Sequence, residues 1–141
     1  MNSKLLIISI LILALSCKEK PGKVAPMVVE KLNAFIKKEK FVQDMSVSYP
    51  GISDPSLRLE LTGKINQAAE DFKTVSQSTD PGREKYLEKI KLGLGRFDGT
   101  PVYDTEDRER ICHYFEELMD IVGLQSSEGL LNEFMYGFDP G

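Results

Sequence analysis

The chain has 141 residues, 41% hydrophobic and 28% charged, with a formal net charge of −4 at pH 7. That length sets one domain large enough to bury a core, and the acidic balance argues against a nucleic-acid binder, which needs a basic patch to neutralise phosphates. One histidine and two cysteines leave neither a zinc cluster nor a disulfide framework.

In chain order, Lys4 precedes an apolar run from Leu5 to Leu15, interrupted by Ser9 and followed by Ser16-Cys17. As a helix the run covers about 16 Å. A membrane span needs about 20 residues, which disfavours an uncleaved anchor. The apolar region of an export signal is about 7–15 residues, and the run fits it. A small residue directly before the cysteine resembles the lipobox of bacterial lipoproteins, whose cysteine is lipidated and becomes the first residue after cleavage. The resemblance implies a diacylglyceryl group, and often an amide-linked acyl chain, on Cys17; two or more chains give stable anchoring. The family places a large aliphatic residue three before the cysteine and a small one two before. Here Ala14 and Leu15 stand exchanged, so a plain secretory signal is the alternative.

Residues 1–16 are therefore expected as a lipoprotein signal peptide, 17–25 as lipidated cysteine and tether, and 26–141 as a helical domain. Residues 18–25 are polar, contain Pro21 and Gly22, and reach at most about 26–29 Å when extended. No aspartate follows Cys17 directly. By analogy with lipoprotein sorting in diderm bacteria, that permits delivery to the outer membrane. From Lys18 to Asp44 seven lysines face four acids, whereas from Met45 onward ten Lys/Arg face eighteen acids. The basic part lies nearest the anchor, where an anionic lipid surface would attract it modestly.

Pro26 suits a helix first turn, and Val28, Val29, Leu32, Phe35 and Ile36 keep helical spacing; this helix is expected to end near Phe41. Residues 42–53 hold no single period. Val47 and Tyr49 alternate with serines as a short strand would, and Tyr49-Pro50-Gly51 is a turn signal. The segment reads as a loop tucked onto the core through Tyr49 and Ile52. Asp54-Pro55 is a helix start, and Leu57, Leu61, Ile65, Ala68, Phe72 and Val75 form the clearest stripe. Asp80-Pro81 repeats the start, followed by Tyr86, Leu87, Ile90, Leu94 and Phe97. Gly93 and Gly95 weaken the last turns of that helix. Asp104 or Thr105 caps the next, with Glu106 and Asp107 favoured by the helix dipole. Its stripe is Ile111, Tyr114, Phe115, Leu118, Met119 and Val122, and Gly123 stops it. Ser126 or Ser127 caps a last short helix with Leu130, Leu131, Phe134 and Met135. The pattern predicts a mainly all-α, single-domain antiparallel bundle of four to five helices.

No catalytic or cofactor motif stands out. With Ile111 at zero, His113 falls at about 200°, on the outer face beside Arg110 and Glu117. Cys112 falls at the stripe's edge, as a small half-buried hydrophobe. Adjacent helix residues point about 100° apart, so Cys112 and His113 make a poor dyad. The acidic run from Asp98 to Glu109 fails as an EF-hand loop, since Thr100, Val102 and Tyr103 occupy its third, fifth and sixth positions. Gly93-Leu94-Gly95 follows no strand and no Gly-Lys-Ser/Thr, so it is no phosphate loop. Paired carboxylates for glycoside hydrolysis come from distant positions, and nothing singles out two. The aromatics Tyr49, Tyr103, Tyr136 and Phe138 all sit near Pro or Gly in expected loops. Gathered on one side they would make a recognition patch; otherwise they seal the ends of the core.

The run from Arg108 to Leu124 and its sequel Ser126-Ser127-Glu128-Gly129-Leu130-Leu131-Asn132 resemble a family of short bacterial exported proteins catalogued only as a domain of unknown function. Tyr49-Pro50-Gly51 is a further echo. The resemblance covers the last third of the chain and implies no activity, so no catalytic residue transfers from it. The expectation is a lipid-anchored envelope protein that binds a protein partner, in an inhibitor, immunity-type or assembly role. A small hydrolase of cell-wall polymer is the alternative.

Overall fold

Asp54 starts the helix that organises the molecule. Its carboxylate accepts from the Ser56 amide at 2.9 Å, and Pro55 takes the first helical position, as its fixed φ favours. The computed structural model describes residues 24–100 and 104–137. Within them lie α1 (Val24–Lys37), α2 (Pro55–Ser76), α3 (Arg83–Gly95), α4 (Thr105–Val122) and α5 (Leu130–Tyr136). The long α2 packs against α1, α3 and α4, while α5 closes over α3 and α4. The all-α bundle expected from the stripes is what forms. Among the described residues the only ladder is one antiparallel bridge, Asp44 to Tyr49.

The stripes supply the core. Leu61, Ile65, Ala68, Ala69 and Phe72 of α2 meet Ile90 of α3 and Ile111, Phe115 and Leu118 of α4, all fully buried. Burying each large side chain stabilises the fold by about 1.5–3 kcal/mol. At the tightest crossing Gly93 lets α3 approach Phe115: a Cβ there would stand 2.7 Å from its ring. Gly93 is therefore a contact point, more than the weak spot its helix propensity implies.

The ends of the elements depart from expectation in three places. First, α1 stops at Lys37, short of Phe41. Lys40 folds back and donates to the carbonyls of Phe35 and Lys38 at 2.7 and 3.0 Å, with its ammonium 4.4 Å from the Phe35 ring centre. The lysine thus caps α1 from inside, only 2% exposed. Phe41 then turns in the left-handed region, φ 57°. Second, α3 is capped by Gly82 instead of Asp80, whose carbonyl is held by Lys85 at 2.7 Å. Third, Gly129 precedes α5, while Ser126 accepts from the Glu128 amide and Ser127 from the Leu131 amide. Asp104, in contrast, caps α4 in a reciprocal box with Asp107, and Gly123 ends it at φ 73°.

Candidate functional site

Residues 38–49 form a strap along α4. Lys38 pairs with Glu117 at 2.8 Å, the Phe41 amide donates to the Tyr114 hydroxyl at 2.8 Å, Asp44 meets Arg110 at 3.1 Å, and Tyr49 donates to Asp107 at 2.6 Å. The four rungs fall at positions 107, 110, 114 and 117, steps of three, four and three, hence one face of a helix. Arg110 was expected on the outer face. Instead its guanidinium lies 5.3 Å from both the Tyr49 and Tyr114 rings, half covered by the strap. Burial and the bond to Asp107 push the Tyr49 phenol well above its usual range. Hydrogen bonds from Ser46 hold the Asp44 carboxyl below its usual range. These groups carry perturbed chemistry, yet each is committed to holding the strap.

The other expected site residues fall as follows. Tyr49 is buried, with its hydroxyl committed to Asp107, so it is no exposed patch aromatic. Tyr136 is 60% exposed at the end of α5. Tyr103 and Phe138 lie outside the described residues, as does the expected lipidation site Cys17. His113 is exposed and bonds Glu116 at 2.9 Å. Cys112 is buried behind Leu131, and burial pushes its thiol up to about 11. Among the described residues no group of three or more His, Cys, Asp or Glu is placed to hold a metal, and no helix is long and apolar enough to cross a membrane.

One surface has the build of a binding site. Between the end of α3 and α5 lies a hollow of about 630 Å³. Its floor is apolar: Leu94 and Phe97, with Leu130 and Phe134. Phe97 and Phe134 meet edge to face at 6.1 Å. Lys91, Asp98, Arg108 and Glu133 rim it. Arg108 lies over the Phe134 ring and donates to the Phe134 carbonyl at 3.1 Å. Lys91 and Gly95 also line a second, largely apolar groove with Leu92, so the surface continues across α3. Gly95 sits at the join. A Cβ there would meet nothing nearer than Asp98 at 3.9 Å. Thr100 and Gly137 edge the hollow, which puts Tyr103 and Phe138 within a few residues of its rim in sequence. An apolar floor with a polar rim is the usual anatomy of a recognition surface. No sequence signal marks it, because its floor residues are shared between α3, the connector after it and α5.

Residues 23–139 match the family described as Domain of unknown function (DUF4844). The chain belongs to that family. The likeness seen in the last third of the sequence thus extends over the described body of this DUF4844 chain. It is also similar to a crystal structure of a DUF3571 family protein (ABAYE3784) from Acinetobacter baumannii AYE, 34% identical with a TM-score of 0.74, covering 81% of this chain and 92% of that one. No curated protein matches the chain. Neither family name carries an activity, so none passes to the DUF4844 chain from them.

Proposed function

We propose that the chain is a lipid-anchored binding module of the bacterial envelope, tethered through Cys17, with a protein as its partner. The observation that carries the binding half is the hollow beside α3: an apolar floor, a mixed-charge rim and open continuation past Gly95. The anchoring half rests on the apolar run ending at Ser16-Cys17 and on the short polar tether. An inhibitor, immunity-type or assembly role all fit such a module, and delivery to the outer membrane fits the absence of aspartate after Cys17.

Gly95→Trp tests the binding half. Gly95 lines both grooves, and a Cβ there meets nothing nearer than 3.9 Å, so a bulky side chain can start from the join. The full chain, tagged at its C-terminus, is cross-linked in its envelope and its neighbours are identified. Under this reading one protein is recovered near stoichiometry with the wild type and is lost with a folded Gly95→Trp variant. Equal recovery from both would overturn it. For the anchor, Cys17→Ala abolishes fatty-acid labelling; unchanged labelling refutes the lipobox. A wall-polymer hydrolase is the second reading, favoured by one observation: Asp98 and Glu133 line the same hollow. It requires that Asp98→Asn with Glu133→Gln abolish release of wall fragments.

A further inference from the structure

The strap ends in a turn that holds apolar side chains away from the body. Asp44 accepts from the Ser46 amide and side chain, and the backbones of Asp44 and Tyr49 exchange hydrogen bonds at 2.9 Å. The one-turn 3₁₀ segment Met45–Val47 between them is thereby fixed at both ends. Its Met45 is 73% exposed and its Val47 56%. An apolar tip on a fixed frame loses little freedom when it is covered, which is the condition for efficient docking. Methionine suits such a tip because its side chain adapts to many shapes.

Beside the tip is a hollow of about 260 Å³ walled by Val47, Tyr49, Glu106, Glu109, Arg110 and His113. The charges in it do not balance. Arg110 is matched by Asp44. Asp107, beneath, accepts from Tyr49 and from the α4 cap. Glu106 and Glu109 are exposed, and their side chains make no hydrogen bond or ion pair among the described residues. The hollow therefore presents two unmatched carboxylates next to an apolar tip. This combination repels an anionic membrane surface and attracts a cation carried beside apolar groups.

We infer that the Met45–Val47 tip and the Glu106/Glu109 hollow form a second docking surface, for a partner-protein segment that presents arginine or lysine beside aliphatic side chains. The cation enters the hollow against the two glutamates, and the aliphatic groups cover Met45 and Val47. The surface lies on the strap side of α4 and is lined by none of the residues of the hollow beside α3, so the two readings stand or fall separately.

The test uses the full chain in detergent and a matched pair of labelled peptides. One carries two arginines among leucines; in the other the arginines are glutamates. Fluorescence anisotropy reads binding. The expected result is that the arginine peptide binds, that added salt weakens it, and that Glu106→Lys with Glu109→Lys lowers its affinity about tenfold or more. Met45→Ser with Val47→Ser gives a loss of similar size, while the charge-matched control Glu30→Lys with Glu39→Lys and the Gly95→Trp variant leave affinity within about twofold. Equal binding of both peptides, a control that loses as much as the hollow variant, or no binding of the arginine peptide at about 1 mM would each overturn the inference. All four double or single variants change exposed positions, and circular dichroism confirms that they are folded before binding is read.

Discussion

Gly93 and Gly95 stand two residues apart in α3, and helix propensity treats them alike: replacing glycine by alanine inside a helix stabilises it by up to about 1 kcal/mol. Packing separates them. A Cβ on Gly93 would lie 2.7 and 2.9 Å from two carbons of the Phe115 ring and 3.3 Å from the Ala68 methyl, whereas on Gly95 it would meet only Asp98 at 3.9 Å. Phe115 is fully buried, so its ring has no open side to turn into. Overpacking of this kind costs about 1–3 kcal/mol, and the propensity gain offsets only part of it. Gly93→Ala should therefore lose about 1–2 kcal/mol net, while Gly95→Ala, at the last residue of the helix, should gain about 0.5 kcal/mol. For a body of this size about 3–5 °C accompanies each kcal/mol, giving a gap of about 5–12 °C between the two variants. Thermal melts followed by far-UV circular dichroism measure it. Adding Phe115→Leu to Gly93→Ala makes room for the methyl and should recover part of the loss. Two alanine variants that melt together, or a Gly93→Ala chain more stable than the wild type, would refute the packing argument.

Tyr49→Phe removes the hydroxyl that serves the buried Asp107 carboxylate at 2.6 Å, and should cost about 1–3 kcal/mol in urea denaturation; a change indistinguishable from zero would mean that water replaces the hydroxyl freely. Burial lowers the Lys40 amine to about 8 from 10.5, so between those values the unfolded chain binds more protons than the folded one. The free energy of unfolding should therefore rise with pH across that window in the wild type relative to Lys40→Met, and a difference between the two that stays constant from pH 7 to about pH 10 would show that Lys40 does not titrate there. Cys112 should resist a thiol reagent at neutral pH in the native chain and react fully in denaturant, since it is buried and its thiol is pushed up to about 11; prompt labelling of the folded protein would contradict that placement.

What the sequence made legible was local. α2 could be read in full because its stripe and its Asp54-Pro55 start both depend on residues within a turn or two of each other. The same holds for the Asp104 cap and the Gly123 stop. The misreadings arose where a distant or folded-back side chain decides. Lys40 carries no local signal of burial, and its return to the carbonyls of Phe35 and Lys38 closes α1 short of Phe41. Arg110 and Glu117 read as an outer face, because the strap that covers them lies 66 and 79 residues away in the chain. Asp80 looks like a cap, but Lys85 draws its carbonyl aside and Gly82 takes the role. Tyr49 and Ile52 lie in the core, as the reading of a tucked loop expects, but the partner that holds Tyr49, Asp107, is one that no spacing rule connects to it. The hollow beside α3 was invisible for a related reason: its lining comes from three helices and a connector, and a periodicity shows one element at a time.

The strap also orders events in time. Its four rungs join residues 58 to 79 positions apart, and α2 and α3 lie between them in the chain. A contact of that span closes a long loop and returns little until the intervening helices have packed and shortened the effective path. Helices α2 and α3 can therefore assemble before the strap docks, and the rungs form among the last native contacts. Weakening a rung should then leave the rate of folding nearly unchanged and appear as faster unfolding. The amide of Phe41, held by the Tyr114 hydroxyl, would be a reporter of the final step, exchanging its hydrogen whenever the strap alone lets go.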